Sequence, residues 1–505
     1  MRKRKLVRNT ISALTLQVVT LFCGFVLPRL ILSSYGSEVN GMVNSITQFL
    51  QVISLMECGM GAVMQSSLYE PLVVRDDNMI SCIVTSGKTF FHNVGGVLCI
   101  YVFVLLMTYP KLTDQQFGSL YVGSLILIMS VSLFAQYYFG ITNQILLSAD
   151  QRGYVHNIVQ MMSIALNTIV CVIMMQKDFS IHAVKLVTAT IYLIRPTALS
   201  IYVNKHYNID KKVVYDQEPI RQKWNGVAQH IAAFILDGTD TIVLTVFSSL
   251  TVVSIYSVYN MVIFGIKSIF ISLSFGIQSV FGEMLAKREI KQLSELFCQI
   301  EWMIHTGVTL IFGCTSVLLA PFVQVYTSGI DDAVYKVPGF ALLLTFANAM
   351  HCLRLPYNIM IRAGGHYKQT QNNYVIAAFI NVILSIVLVK HLGLIGVAVG
   401  TLAAMSYQTI WMAYYGSKYL IRYPISNFYR QIGVDLLIFI ISYGITRFFQ
   451  MKTATYMAWF LLAVKTSLVW LMAAVIVNIL FYKKNVKYMT ARITKYCQGL
   501  WGLIR

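Results

Sequence analysis

The chain has 505 residues, 57% of them hydrophobic and only 12% charged, with a mean hydropathy of +0.66. Soluble domains carry about 25% charged residues, so a soluble fold is excluded. The net charge of +19 fits the basic cytoplasmic loops of a membrane protein rather than a nucleic-acid partner. Nine cysteines without paired spacing give no zinc site and no disulfide framework.

Met1-Arg2-Lys3-Arg4-Lys5 has the basic character of a signal-peptide start. The apolar run that follows, Thr10 to Leu32, is too long for one and lacks a small-residue cleavage site. It is expected to be an uncleaved first span, about the length that crosses roughly 30 Å of hydrocarbon. It holds one charge, Arg29, directly after Pro28. A hydrophilic turn, Ser33 to Val39, leads into a second apolar run. That run bears a polar stripe of Asn40, Asn44, Gln48, Gln51 and Ser54. At about 100° per residue the five fall within roughly 120° on a helix. Lipid satisfies no amide, so the stripe must face protein or water.

The remaining chain repeats this theme. Apolar runs predict about 14 transmembrane helices, at 10–33, 40–69, 88–110, 118–146, 156–176, 180–204, 224–247, 251–284, 297–322, 336–361, 370–390, 392–416, 428–448 and 456–482. With the N-terminus in the cytoplasm, 27 of the 39 Lys and Arg fall in cytoplasmic segments and six in outer loops. The positive-inside rule therefore predicts an all-α polytopic membrane protein with both termini cytoplasmic.

A weak repeat at an offset of about 214 residues relates Val39–Asn44 to Val253–Val258, and Ile145–Ala149 to Ile359–Ala363. The expected organisation is an N-lobe over 1–207, a cytoplasmic linker over 208–223, a C-lobe over 224–420, two extra helices over 421–482 and a basic tail over 483–505. Both lobes start inside, so their pseudo-axis runs along the membrane normal. Two such six-helix lobes are expected to leave a central cavity, with alternating access by rocking of one lobe against the other.

The chain resembles the polysaccharide flippases (Wzx-type, lipid-linked oligosaccharide exporters) of the multidrug/oligosaccharidyl-lipid/polysaccharide (MOP) exporter superfamily, whose drug-exporting branch is the MATE transporters. The likeness covers nearly the whole chain. It rests on Pro28-Arg29-Leu30 with Tyr35 to Gly41, on Trp224 to Ala232, on Thr239-Asp240, on Ser254 to Asn260 and on Ile361 to Lys368. It implies a flippase, not an enzyme, in the bacterial cytoplasmic membrane. The implied cargo is an undecaprenyl-diphosphate-linked repeat unit, carried to the outer leaflet for capsule, O-antigen or exopolysaccharide assembly. Implied partners are that glycan, membrane lipids, and polysaccharide polymerase and export machinery.

Such a protein needs a polar cavity for sugar and cations for the diphosphate. Charged side chains inside spans are costly and mark function by default. Arg29, Lys267, Arg354 and Arg195 are the cationic candidates; a guanidinium forks onto phosphate oxygens. For Arg29 the competing reading is snorkelling to the interface, and for Arg195, beside Pro196, a kinked helix end. Asn44, Gln48, Gln51, Gln136, Asn143, Tyr256, Asn260 and Asn358 are candidates for a sugar-facing lining; the competing reading is hydrogen bonding between helices. His230, Asp237 and Asp240 on span seven, with Glu57 on span two, are candidates for H⁺ or Na⁺ coupling. The alternative for this group is a buried charge pair with Lys267 or Arg354. No other cofactor and no metal is expected. Asp76-Asp77 and Asp331-Asp332 read as solvated loop charge.

Three rivals remain. A MATE-type cation-coupled drug exporter should have an acidic cavity, whereas the acids within the spans are chiefly Glu57, Asp237 and Asp240. A lipid II flippase should cluster arginines in its early spans, where this chain has only Arg29. A membrane polymerase should carry a sizeable outer loop, and the longest here is roughly Pro321–Lys336.

Overall fold

The computed structural model describes residues 2–57, 59–113, 117–210, 227–421, 424–487 and 489. Most of the expected linker 208–223 and of the basic tail lies outside these residues, as does the start of the motif at Trp224. The described residues are helical, with no strand. In order the helices are α1 (Arg2–Gln51), α2 (Met60–Val74), α3 (Asp77–Leu112), α4 (Ser119–Ala135), α5 (Ile141–Ala149), α6 (Gly153–Gln176), α7 (Ile181–Tyr192), α8 (Ile194–His206) and α9 (Val227–Phe247). They continue as α10 (Leu250–Ala286), α11 (Ile290–Tyr326), α12 (Pro338–Leu353), α13 (Leu355–Ala363), α14 (Tyr367–Leu392), α15 (Leu394–Tyr419), α16 (Ile425–Thr446) and α17 (Tyr456–Phe481).

Among the described residues, twelve stretches are long and apolar enough to cross a membrane. Two local features separate that number from the expected 14. The first two expected spans lie in one stretch, Val7–Glu57. The expected span 336–361 is broken into α12 and α13, each shorter than a full crossing.

The hydrophilic turn expected at Ser33 to Val39 shrinks to a single residue. Gly36 alone leaves the helical region, at φ 82° and ψ 175°, a conformation that glycine adopts without steric cost. The helix that restarts there has orphan N–H groups. Asp332 satisfies one: its carboxylate accepts from the Ser37 N–H and from the Ser37 hydroxyl, both at 2.6 Å. Asp332, exposed in its loop as expected, is thus also a helix cap. Asp76 is likewise exposed and caps α3 by accepting the Met79 N–H at 2.9 Å.

The chain divides into two compact units, Met1–Val258 with Gly329–Ala333, and Tyr259–Ser328 with Val334–Arg505. The first holds α1 to α9 and the start of α10. Its core includes Met42, Met64, Leu68, Val84, Phe91 and Tyr109, all fully buried. Here α1 packs on α6, α4 on α7, and α2 on α5.

In the second unit α14 and α15 form a hairpin around Gly393, at φ 53°. Their seam follows the small-residue logic of membrane helices. A Cβ on Gly396 would meet the Leu388 backbone at 2.5 Å, and one on Gly400 would meet Ser385 Oγ at 2.5 Å. Asn381 donates across the seam to Thr401 at 3.0 Å. The terminal helices α16 and α17 dock on α11. Trp302 donates to Asn478 at 2.6 Å and His305 bonds Asp435 at 2.6 Å. Gly313 leaves room for Trp470, whose ring would lie 1.9 Å from an added Cβ.

Candidate functional site

Spans two, four and six of the first unit are all broken within the membrane. Span two passes from α1 into a 3-10 turn, Val52–Glu57, and restarts after Gly59 at φ 74°. Span four widens to a π turn, Gln136–Gly140. Span six breaks between Tyr192 and Ile194, just before Pro196, which has no N–H to donate.

A broken helix in lipid frees carbonyls that need new partners. Side chains supply them. Tyr101 donates to the Phe49 carbonyl at 2.8 Å, and His230 Nε2–H donates to the Ser54 carbonyl at 3.0 Å. His92 donates to the Tyr138 carbonyl at 2.9 Å, and Asn143 to the Phe139 carbonyl at 3.0 Å. Tyr137, inside the π turn, donates to Glu57 Oε1 at 2.6 Å. His230 and Asn143 therefore stitch broken backbone, and Glu57 ties the turn of span two to Tyr137 of span four; of the lining candidates Asn143 is only 4% exposed.

Beside these breaks are two cavities, both formed within the first unit. One, of about 230 Å³, is lined by Gln136, Gln144, Gln160, Ser163, Tyr192 and Arg195 among others. The Arg195 guanidinium donates to Gln144 Oε1 at 2.6 Å and approaches His156 Nε2 at 3.4 Å. Gly140 lets span six in, because a Cβ there would touch Pro196 at 3.1 Å. The second cavity, of about 350 Å³, is lined by α1, α6 and α7, with Asn40, Asn44, Asn167, Lys185 and Thr188. Ile164 and Tyr192 border both cavities, and among the described residues no carboxylate lines either.

The structure thus brings Gln136 and Arg195 to one cavity and Asn44 to the other. The rest of the span-two stripe is divided. Asn40, 1% exposed, donates to Ser254 at 2.8 Å. Gln48 fills the space that a side chain at Gly238 would take, and Gln51 is exposed. Arg29 is half-buried and lines neither cavity. On α9, Asp237 is exposed while Asp240 is 4% exposed and accepts from Tyr256 at 3.1 Å.

In the second unit Arg354 occupies the break between α12 and α13 and is 4% exposed. It donates to Gln408, to His351 Nδ1 at 2.8 Å and to Met405 Sδ at 3.2 Å. His351 Nδ1 accepts, so that ring carries its proton on Nε2. Lys267 is 6% exposed and within electrostatic reach of the same histidine. Asn358 accepts from Tyr374 at 3.1 Å; Asn260 is half-buried on α10.

Sequence reasoning passed over several groups. Lys185 was legible as a charge within span six, but it lies one turn from the span's end, where lysines anchor interfaces. Glu301 and Asp435 add to the acids within spans, yet both are engaged: Glu301 accepts from Tyr357, and Asp435 bonds His305 and Gln431. Gln144, His351 and Gln408 carried no signal beyond being polar residues in apolar runs.

No protein-family profile and no curated protein sequence matches the chain. Solved structures do. The lipid II flippase MurJ, in an inward closed conformation, matches with a TM-score of 0.69 at 14% identity, over 95% of this chain and 100% of that one. An inward-facing multidrug resistance MATE family transporter of the MOP superfamily matches at 0.58 and 16% identity, over 80% and 97%. A MOP superfamily transporter from Pyrococcus furiosus, described as having a binding pocket of reversed polarity, matches at 0.55 and 13% identity, over 81% and 95%. The fold is that of MOP superfamily transporters, in a multi-pass membrane protein.

Proposed function

We propose that the protein is a flippase of the bacterial cytoplasmic membrane. It moves undecaprenyl-diphosphate-linked oligosaccharide repeat units from the inner to the outer leaflet by alternating access, feeding capsule, O-antigen or exopolysaccharide assembly. The observation that supports this reading is the Arg195 cavity. A guanidinium stands among three glutamine amides with no carboxylate on the wall. Guanidinium forks match phosphate oxygens and amides match sugar hydroxyls; a cationic drug would find no counter-charge there. Lys267 and Arg354 are buried cationic candidates of the second unit, and Asp237 and Asp240 are the candidates for coupling to H⁺ or Na⁺.

A second reading keeps the mechanism and changes the cargo to lipid II. It is favoured by the fold match to MurJ over 95% of this chain. Deletion of the gene followed by lipid extraction separates the two. Accumulated undecaprenyl-linked repeat units facing the cytoplasm support the first reading, accumulated lipid II supports the second, and an unchanged lipid pool removes both.

A further inference from the structure

Lys185 differs from three engaged cations of the first unit. Lys5 and Arg152 are paired with Asp150 at 3.1 and 2.7 Å, and Arg195 is held by Gln144 at 2.6 Å. Lys185 makes no hydrogen bond and no ion pair with any described residue, although it lines the 350 Å³ cavity. An ammonium within a span is expensive unless an anion or water meets it. Snorkelling to the interface does not account for it, because its side chain lines the cavity wall beside Asn40, Asn44 and Thr188. The described lining is largely apolar, carries amides and hydroxyls from Asn40, Asn44, Thr47, Asn167 and Thr188 and has no carboxylate, so no acid among the described residues neutralises it.

We propose that this cavity is a binding site for a phosphate-bearing, hydroxylated ligand, with the Lys185 ammonium on the phosphate and Asn44 and Thr188 on the hydroxyls; Asn167, 2% exposed, is held by Cys171 and stays structural. Size argues against a lone halide. At about 30 Å³ per water the space would hold roughly ten waters, far more than one small ion fills. It lies instead within the roughly 300–1,000 Å³ of small-molecule sites. The ligand's source is either free sugar phosphate or the phosphorylated head of a lipid-linked glycan. Only the second source rests on the function proposed above.

The test is ligand-induced thermal stabilisation of the purified full-length protein. The probes are glucose 1-phosphate in detergent, undecaprenyl diphosphate in nanodiscs, and sodium chloride at matched ionic strength. Variants are Lys185→Gln, Lys185→Arg and, as a control for lost charge, Lys177→Gln in the exposed loop after α6. The expected result is a Tm rise with glucose 1-phosphate whose half-saturating concentration increases about tenfold or more in Lys185→Gln. Lys185→Arg restores it and Lys177→Gln leaves it unchanged. A Lys185-dependent rise with undecaprenyl diphosphate assigns the lipid-linked source; a rise with glucose 1-phosphate alone assigns the free one. An equal rise from chloride, an undiminished rise in Lys185→Gln, or no rise with either phosphate probe overturns the proposal. The lipid pool of a deletion strain does not enter this readout, so loss of the flippase reading and loss of this site are separate outcomes.

Discussion

Asn40 and Ser254 are 214 residues apart and joined by a hydrogen bond of 2.8 Å. That separation is the offset of the internal repeat, so equivalent positions of the two repeats meet directly. The neighbouring Gly41 brings the backbones close, since a Cβ there would lie 1.8 Å from the Leu250 carbonyl oxygen. Each of Asn40→Ala and Ser254→Ala is expected to cost about 1 kcal/mol, and the double variant little more than one of them. Thermal unfolding of the four proteins in detergent checks this; fully additive losses would show that the two side chains do not interact.

Arg195 holds Gln144 with a charge-assisted bond beside the π turn. Arg195→Gln is expected to reduce export at least about tenfold at unchanged membrane abundance, a loss typical of a buried charged partner. Arg195→Lys keeps the charge but not the fork and should recover only part. Surface polysaccharide quantified against immunoblotted protein is the measurement.

Arg354 and Lys267 are expected to abolish export when reversed to Glu while the protein still inserts. Arg354→Gln, which keeps hydrogen-bonding capacity toward Gln408 and His351, separates loss of charge from loss of the network. Normal surface polysaccharide in the Lys267→Glu strain would remove that residue from the transport path.

Asp237 and Asp240 are expected to carry the coupling cation. In vesicles, transport by Asp237→Asn or Asp240→Asn should lose its response to an imposed proton or sodium gradient. An unchanged response in both leaves these carboxylates structural, with Asp240 serving Tyr256.

Gly396→Ala and Gly400→Ala insert a methyl into the α14–α15 seam at 2.5 Å from existing atoms. Overpacking of this kind costs about 1–3 kcal/mol, so both variants should unfold at lower temperature. At Gly400 the clash is with a side-chain hydroxyl first, and Ser385→Ala should relieve part of that loss; the Gly396 clash is with backbone and has no such remedy.

The spans and the repeat were legible because hydropathy and charge asymmetry act over twenty residues at a time. The repeat is visible in detail: α5 runs Ile141–Ala149 and α13 runs Leu355–Ala363, both nine residues long and 214 apart. The breaks inside the spans were only partly legible. Pro196 announces the one in span six. The π turn Gln136–Gly140 has no compositional mark; beside the local bond from Asn143, the partner of its Tyr138 carbonyl is His92, a tertiary contact. The sequence shows His230 on one face with Asp237; the bond from its Nε2–H to the Ser54 carbonyl is a relation that only the break in span two creates.

The five residues Gly329–Ala333 belong to the first unit although the chain on either side belongs to the second. The polypeptide therefore crosses the unit boundary three times. A gene split between codons 258 and 259 would place Ser37 on one fragment and its acceptor Asp332 on the other. Co-expressed fragments would have to supply that cap in trans, and a purified N-terminal fragment would lack the cap at its own second span. Complementation designs should instead leave this loop in cis by fusing a copy of 329–333 to the first fragment.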